Sequence, residues 1–462
     1  MKRLFGTDGM RGAAGSFPLD ADTIWTTGHS LARHLTAQTG PAPRIVTGRD
    51  TRESGAWLEA ALIAGARAAG ALCESAGVIT TPGVAFLTRT LPADAGVVIS
   101  ASHNPFQDNG IKIFAPTGRK LDDTTERLIE ADIYAARERT DTHEVAQRHN
   151  APFQSDEIEA DAHAVALRAR YLDYLVNEIG AGLRLDDLIL VMDCAHGAAF
   201  ELAPALCARL GAQVVAVGIT PDGRNINREC GSLYVERLRE RVVAAGAHLG
   251  VAFDGDADRA LFVDARGTVV DGDATLWVMA QQMSARGELK NNLVVATVMS
   301  NIGLESALKS RGIELRRTDV GDKYVLEELL RTGASLGGEQ SGHIIFPRLS
   351  LAGDGLVTTL CLLRAMRESS RHLHELTAGF TRYPQVLVNV RVGEKRPFAD
   401  VPEIARAVRA TEKELGDRGR LLLRYSGTEP LARVMIEGQR QDEIERLAQA
   451  LARIIQTALG AK

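Results

Sequence analysis

No stretch of this sequence is long and apolar enough to cross a membrane, and no apolar segment follows the opening Met1-Lys2-Arg3-Leu4-Phe5-Gly6-Thr7-Asp8 as it would in a secretory leader. Cys-x-x-Cys pairs are also missing. The five cysteines, Cys73, Cys194, Cys207, Cys230 and Cys361, are odd in number and widely spread, which suits reduced thiols in a cytosol. No long basic run is present to track a phosphate backbone, and the formal net charge is -5. Together these absences predict a cytoplasmic protein that partners neither nucleic acid nor membrane.

What remains is ordinary globular material: 462 residues, 45% apolar and 24% charged. That length exceeds what one hydrophobic core supports, so two to four domains are expected. Three segments share one pattern of β-branched strand, polar turn, alanine- and leucine-rich helix and second strand. The first has a strand at Arg44-Ile45-Val46-Thr47, a helix over 54–69 and a strand at Ala71-Leu72-Cys73. In the second, Leu188 to Met192 leads through Asp193-Cys194-Ala195-His196-Gly197 into a helix reaching Leu210, then Gln213 to Val217. A third passes from Leu293–Thr297 by Ser300-Asn301 into a helix ending near Arg311-Gly312, then Ile313-Glu314-Leu315. Three α/β domains with ligand loops at the strand carboxyl ends are the expectation.

The tail differs. Strands are predicted at 385–392, 420–424 and 432–437 and a helix at 403–415, which makes a smaller α+β domain from about residue 373. The polar stretch 138–156 reads as a loop or domain boundary.

Four motifs carry chemistry. In Gly96-Val97-Val98-Ile99-Ser100-Ala101-Ser102-His103-Asn104-Pro105 an apolar strand ends abruptly, presenting the Ser102 hydroxyl on a turn. Such a hydroxyl can carry a phosphoryl group, with positive charge from His103 and Lys112, although an ordinary capping turn reads the same way. In Asp254-Gly255-Asp256-Ala257-Asp258-Arg259, three carboxylates alternate between two apolar strands, and their oxygens suit a hard cation such as Mg²⁺. An EF-hand is excluded, because its sixth and twelfth positions would be Arg259 and Ala265. Gly337-Gly338-Glu339-Gln340-Ser341-Gly342-His343 offers groups that hold sugar hydroxyls, or else a polar loop. Arg424-Tyr425-Ser426-Gly427-Thr428-Glu429-Pro430, with Arg433, suits phosphate, or a plain strand connection. Arg11, in Phe5-Gly6-Thr7-Asp8-Gly9-Met10-Arg11-Gly12, can help neutralise a transferring phosphate or belong to a structural turn.

In combination and order, these motifs resemble the α-D-phosphohexomutase superfamily over nearly the whole chain. Phe5–Gly12, Gly338–His343 and Tyr425–Pro430 are most similar to its aminosugar branch, partly through Gln340. The resemblance implies four domains around a central cleft: three similar α/β domains with mixed sheets, and a smaller α+β C-terminal domain. Their expected extents are 1–155 with the phosphoserine loop, 156–268 with the metal loop, 269–372 with the sugar loop and 373–462 with the phosphate loop.

By the same resemblance Ser102 is the phosphoserine. One Mg²⁺ is held by Asp254, Asp256, Asp258 and the Ser102 phosphate. Arg11, His103, Lys112, Arg259 and His343 flank the transfer site. Glu339 and Ser341 read sugar hydroxyls, while Arg424, Ser426, Gly427, Thr428 and Arg433 bind the non-reacting phosphate. Lys323, in Gly321-Asp322-Lys323-Tyr324, matches a less regular family loop.

The implied activity is an isomerisation of glucosamine 6-phosphate to glucosamine 1-phosphate through a 1,6-bisphosphate, feeding UDP-N-acetylglucosamine and cell-wall precursor synthesis. Glucose or mannose phosphates are the alternative substrates. A metal-dependent phosphatase and a non-catalytic sugar-phosphate sensor are rivals of other classes. Implied partners are a sugar phosphate, an activating kinase or bisphosphate sugar, and a second copy in a homodimer.

Overall fold

The computed structural model describes residues 3–140, 162–426 and 429–460. The chain divides into two compact units, Met1–Thr297 with Thr318–Thr377, and Val298–Arg317 with Ala378–Lys462.

In the first unit, the leading sheet runs in the order Phe5–Gly6, Gly9–Ala13, Asp108–Phe114, Ala95–Ile99, Arg44–Arg49, Leu72–Val78. Arg44–Arg49 is parallel to both neighbours, whereas Asp108–Phe114 runs antiparallel to Ala95–Ile99, so the sheet is mixed. Ala95–Ile99 is buried throughout, as a central strand covered on both faces must be. The helices Ala21–Thr39 and Gly55–Ala68 pack together against this sheet's core, which includes Leu31, Leu58, Leu62, Val97 and Ile99. Asp20 caps the first of them by accepting the Thr23 N–H at 3.0 Å.

The second sheet is Val269–Val270, Ala260–Asp264, Leu249–Phe253, Ile189–Asp193, Gln213–Val217, again mixed. In the third, Leu293–Thr297 pairs parallel with Gly337–Gly338, which turns back antiparallel against Ile344–Ile345. The predicted strands and helices appear with shifts of a few residues. The helix Asp123–Thr140 runs into the stretch expected to be a loop, so 138–140 are helical. The remainder of that stretch, and the boundary at 155/156, lie outside the described residues.

The second unit is a three-stranded antiparallel sheet, Gln385–Arg391, Leu431–Gly438, Gly419–Tyr425, with helices Pro402–Leu415 and Gln441–Leu459. Ile444, Leu447, Ala448, Leu451, Ala452 and Ile455 bury one face of the closing helix at three- and four-residue spacing. Val298–Arg317, including the helix Ile302–Lys309, joins this unit through polar contacts. Asn301 caps that helix and donates to the buried Glu437 at 3.2 Å, and Arg420 donates to the Val298 and Ser300 carbonyls. Among the described residues no helix is long and apolar enough to cross a membrane.

Candidate active site

Three strands of the first unit end in the loops that the sequence singles out. Ser102 follows Ala95–Ile99 and is fully buried with a left-handed backbone, φ 53°. That conformation is sparsely populated for a residue with a side chain, and here the surroundings impose it. The Ser102 N–H donates to Ser100 Oγ at 2.9 Å, and Ser100 Oγ donates to Asp50 at 2.6 Å. The Ser102 carbonyl accepts from Asn227 Nδ2 at 2.8 Å and from the buried Arg52 at 3.2 Å. Gly255 leaves room for the same carbonyl, since a Cβ there would lie 2.5 Å from it. Asp50, Arg52 and Asn227 were not among the expected residues. The first two lie just past the strand Arg44–Arg49, a few residues beyond the end read from the sequence, and that position is their only sequence signal.

The Ser102 hydroxyl donates to Asp254 Oδ2 at 2.5 Å. Asp254, Asp256 and Asp258 follow Leu249–Phe253, and each offers an oxygen within 4.8 Å of the others. All three are buried. Asp256 Oδ1 and Asp258 Oδ1 have no hydrogen-bond partner. Buried carboxylate oxygens left unpaired on a converging set fit a divalent cation. Burial and the two neighbouring carboxylates push Asp254 well above the usual carboxylate range. Burial acts the same way on Asp258, but Lys112 and His343 outweigh it and hold Asp258 well below that range.

The cations are packed between these acids. Lys112, on Asp108–Phe114, is fully buried with Nζ 2.8 Å from Asp256, 3.2 Å from Asp8 and 3.3 Å from Asp258. Burial opposes its charge, yet the three carboxylates raise it well above an ordinary lysine. Thr81, at the start of the helix Thr81–Thr90, donates its hydroxyl to Asp256 at 2.6 Å. Arg11 pairs with Asp8 and reaches the Ala101 carbonyl at 3.4 Å, beside Ser102. The Arg259 N–H donates to Asp254 at 3.2 Å, and its guanidinium lies 3.2 Å from His103 Nδ1.

His103 corrects one expectation. Its Nδ1 is 3.2 Å from Ser102 Oγ, but burial, Arg259 and Arg11 push the imidazole down to about 4. In the ligand-free protein it is therefore an uncharged hydrogen-bonding group at neutral pH. His343 is buried, with Nδ1 3.6 Å from Asp258. Despite burial, Asp258, Asp322 and Glu339 raise it to about 9. Its Nδ1 faces Asp258, and its Nε2 lies 3.2 Å from the Gly353 nitrogen, on the side of Asp322.

Glu339 accepts the Gly321 N–H at 3.1 Å and the Ser341 hydroxyl at 3.3 Å. Glu339, His343, Arg259, His103 and Arg11 line one cavity of about 420 Å³, large enough for a sugar phosphate. Lys323 lines a second cavity together with Asp258 and His343, and pairs with Asp123.

In the second unit Arg424 stands directly opposite Arg433 in the antiparallel register. Like charges so placed repel, and burial together with Arg433 lowers the Arg424 guanidinium's affinity for its proton. Arg433 Nη2 lies 3.4 Å from Ser426 Oγ and 3.4 Å from Glu429, while its Nε is buried without a partner. Two guanidinium groups beside a hydroxyl are a donor set that suits an anion. Gly427 and Thr428 lie outside the described residues.

The chain matches the phosphoglucomutase/phosphomannomutase alpha/beta/alpha domain I over residues 2–140, domain II over 169–267, domain III over 271–383 and the C-terminal domain over 387–454. It is 48% identical to the phosphoglucosamine mutase of Solibacter usitatus, covering 99% of each chain. It is 47% identical to that of Syntrophotalea carbinolica, over 100% of this chain and 99% of the relative. A phosphoglucomutase/phosphomannomutase family protein of Burkholderia thailandensis superposes with TM-score 0.78 at 25% identity, over 99% of this chain and 97% of that one. Aspergillus fumigatus N-acetylphosphoglucosamine mutase, solved with GlcNAc-6P and magnesium, shares the fold at TM-score 0.61 and 18% identity, over 98% and 96%. With all four domains matched in order and full-length identity reaching 48%, the chain belongs to the phosphohexomutase family, in its phosphoglucosamine mutase group.

Proposed function

We propose that this isomerase interconverts glucosamine 6-phosphate and glucosamine 1-phosphate by way of a phosphorylated Ser102. The observation that carries the chemistry is the Ser102 hydroxyl seated 2.5 Å from Asp254, within a buried acidic triad edged by Lys112 and Arg259. The substrate follows from the full-length likeness to phosphoglucosamine mutases.

Phosphoryl transfer has a loose transition state, so alignment and neutralisation of the equatorial oxygens carry most of the rate. Mg²⁺ held by Asp254, Asp256, Asp258 and an oxygen on Ser102 would supply charge neutralisation. Arg11, Arg259 and Lys112 furnish fixed positive charge from the protein side, and the hydrogen bonds to the Ser102 N–H and carbonyl hold its oxygen in place. Glu339 and Ser341 accept and donate to sugar hydroxyls. Arg424, Arg433, Ser426, Gly427 and Thr428 bind the phosphate that is not reacting.

In the first half-reaction the bond from Ser102 Oγ to phosphorus breaks and one from the sugar O1 forms; O1 gives up its proton and Ser102 Oγ regains one as a free hydroxyl, giving glucosamine 1,6-bisphosphate. That intermediate turns end for end. Ser102 Oγ then takes the 6-phosphoryl group, and glucosamine 1-phosphate leaves. A kinase or a bisphosphorylated sugar provides the initial phosphoryl group. A cytoplasmic enzyme able to pair as a homodimer belongs to the same reading.

The test is Mg²⁺-dependent interconversion of glucosamine, glucose and mannose phosphates side by side, with sugar 1,6-bisphosphate as primer. Ser102→Ala should lower turnover by about 10⁴-fold or more. Dominant turnover of glucose or mannose phosphates would move the substrate, and release of inorganic phosphate would remove the mutase reading.

A further inference from the structure

Lys112 and His343 belong to a closed ring of alternating charges. From Asp8 the ring passes to Lys112 at 3.2 Å, to Asp258 at 3.3 Å, to His343 at 3.6 Å, to Asp322 at 3.8 Å, to Lys120 at 2.6 Å and back to Asp8 at 2.5 Å. Three of these members, Asp8, Asp322 and Lys120, have no part in the chemistry described above. The geometry points to Lys120 as a positioning residue that sets Lys112 and His343 against the acidic triad, acting through Asp8 and Asp322. This rests on the mutase reading for its kinetic consequence, though not for its structural one.

Lys120 is suited to this by its backbone. It pairs across an isolated bridge with Phe114, at the end of the strand that carries Lys112, so both lysines leave one stiff corner. Its ammonium is largely buried and takes one oxygen of Asp8 and one of Asp322. Asp8 spends its other oxygen on Lys112 and Arg11, so the grip of Lys120 fixes the plane of that carboxylate and with it the seat of Lys112 Nζ. Asp322 opens the helix Asp322–Thr332 and faces the Nε2 side of His343. Burial raises the cost of charge on Asp8, yet Lys112, Lys120 and Arg11 hold it ionised far below the usual range. Without Lys120, Asp8 and Asp322 become two close carboxylates with no shared cation. They would separate, and Lys112 and His343 would follow them.

The plainer role for Lys120 is a staple between Asp8 and the helix, which would affect stability alone. Steady-state kinetics of Lys120→Met, Lys120→Arg, Asp322→Asn and the Lys120→Met/Asp322→Asn double variant separate the two. Positioning predicts a fall in kcat of about 100-fold for Lys120→Met, the effect of small misplacement, with KM changed by less than about threefold. Lys120→Arg should recover about tenfold of that loss, and the double variant should lose no more than the worse single one, as coupled residues do. An unchanged kcat, or a rise in KM alone, overturns the proposal.

A second measurement does not depend on substrate: crystal structures of wild type and Lys120→Met. Displacement of Lys112 Nζ or the His343 ring is expected, and a ring that superposes overturns the inference. Should Lys120→Met not fold, Asp322→Asn, which keeps side-chain volume, takes its place in both measurements. Absence of turnover in the wild type would remove the mutase reading while the crystallographic outcome still decides the role of Lys120.

Discussion

Lys112 and Arg424 are both cations on β-strands of sites that face phosphate in the proposed reaction, yet their surroundings are opposite. Lys112 Nζ has three carboxylates within 3.3 Å and is fully buried. Arg424 is only partly buried and stands opposite another guanidinium. In the first unit charges of both signs interleave, so the net field is small while every group is held in place. In the second, positive charge is left in excess. The difference matches two tasks: transfer needs atoms fixed to fractions of an ångström, whereas anchoring a dianion needs unbalanced positive charge and tolerates looser geometry.

The largest effect should come from breaking the balanced site. Lys112→Met removes one cation from between the buried Asp256 and Asp258 and the half-buried Asp8, a change of the kind that costs about 3–5 kcal/mol. Thermal unfolding should show this as a large fall in midpoint, and kcat should drop by about 100-fold or more. Added Mg²⁺ should raise the midpoint of the variant more than that of wild type, because it relieves the same repulsion. Equal Mg²⁺ responses would mean that Lys112 does not neutralise the triad.

A smaller and opposite effect is expected in the second unit. Arg424→Gln removes one of two like charges that face each other, so the ligand-free protein should be as stable as wild type or more stable, by up to about 1 kcal/mol. Its KM for sugar phosphate should nonetheless rise by about tenfold to 100-fold, the loss of a charge-assisted contact, with kcat changed less. A destabilised variant with normal KM would show that Arg424 is structural and would erase the contrast with Lys112.

The metal loop and the serine loop were legible because each is local: carboxylates alternating between two apolar strands, and a buried strand cut off by small polar residues. The main strands and helices followed from period for the same reason. Gly337–Gly338 and Ile344–Ile345 escaped because two residues carry no period: the first is a strand only through its partner Leu293–Thr297, and the second only through Gly337–Gly338. The ring through Lys120 was invisible because its members are remote in sequence, Lys120 and Asp8 being 112 residues apart. The charge of His103 was misjudged on similar grounds. Arg259, 156 residues away, lies against it, and no local pattern reveals that. By contrast, the helix Gln441–Leu459 has a clear apolar stripe and was readable in principle.

The smallest effect tests whether the first unit's charge balance extends to its rim. Glu126, in the first turn of Asp123–Thr140, is pushed from 4.5 up to about 7 by burial and the nearby Asp123, with Lys323 and Arg3 opposing. A carboxyl raised on folding binds its proton more tightly in the native state. Its contribution to stability is therefore fully present below about 4.5 and is lost as pH rises through about 7. Glu126→Gln should match wild type near pH 4.5 and unfold at a higher temperature than wild type at pH 8, by a few degrees. Thermal unfolding of both proteins across that window is the measurement. A gap that is constant with pH would show that Arg3 and Lys323 already neutralise Glu126, so that the interleaving of charge reaches the surface of the unit and is not confined to the ring around Lys112.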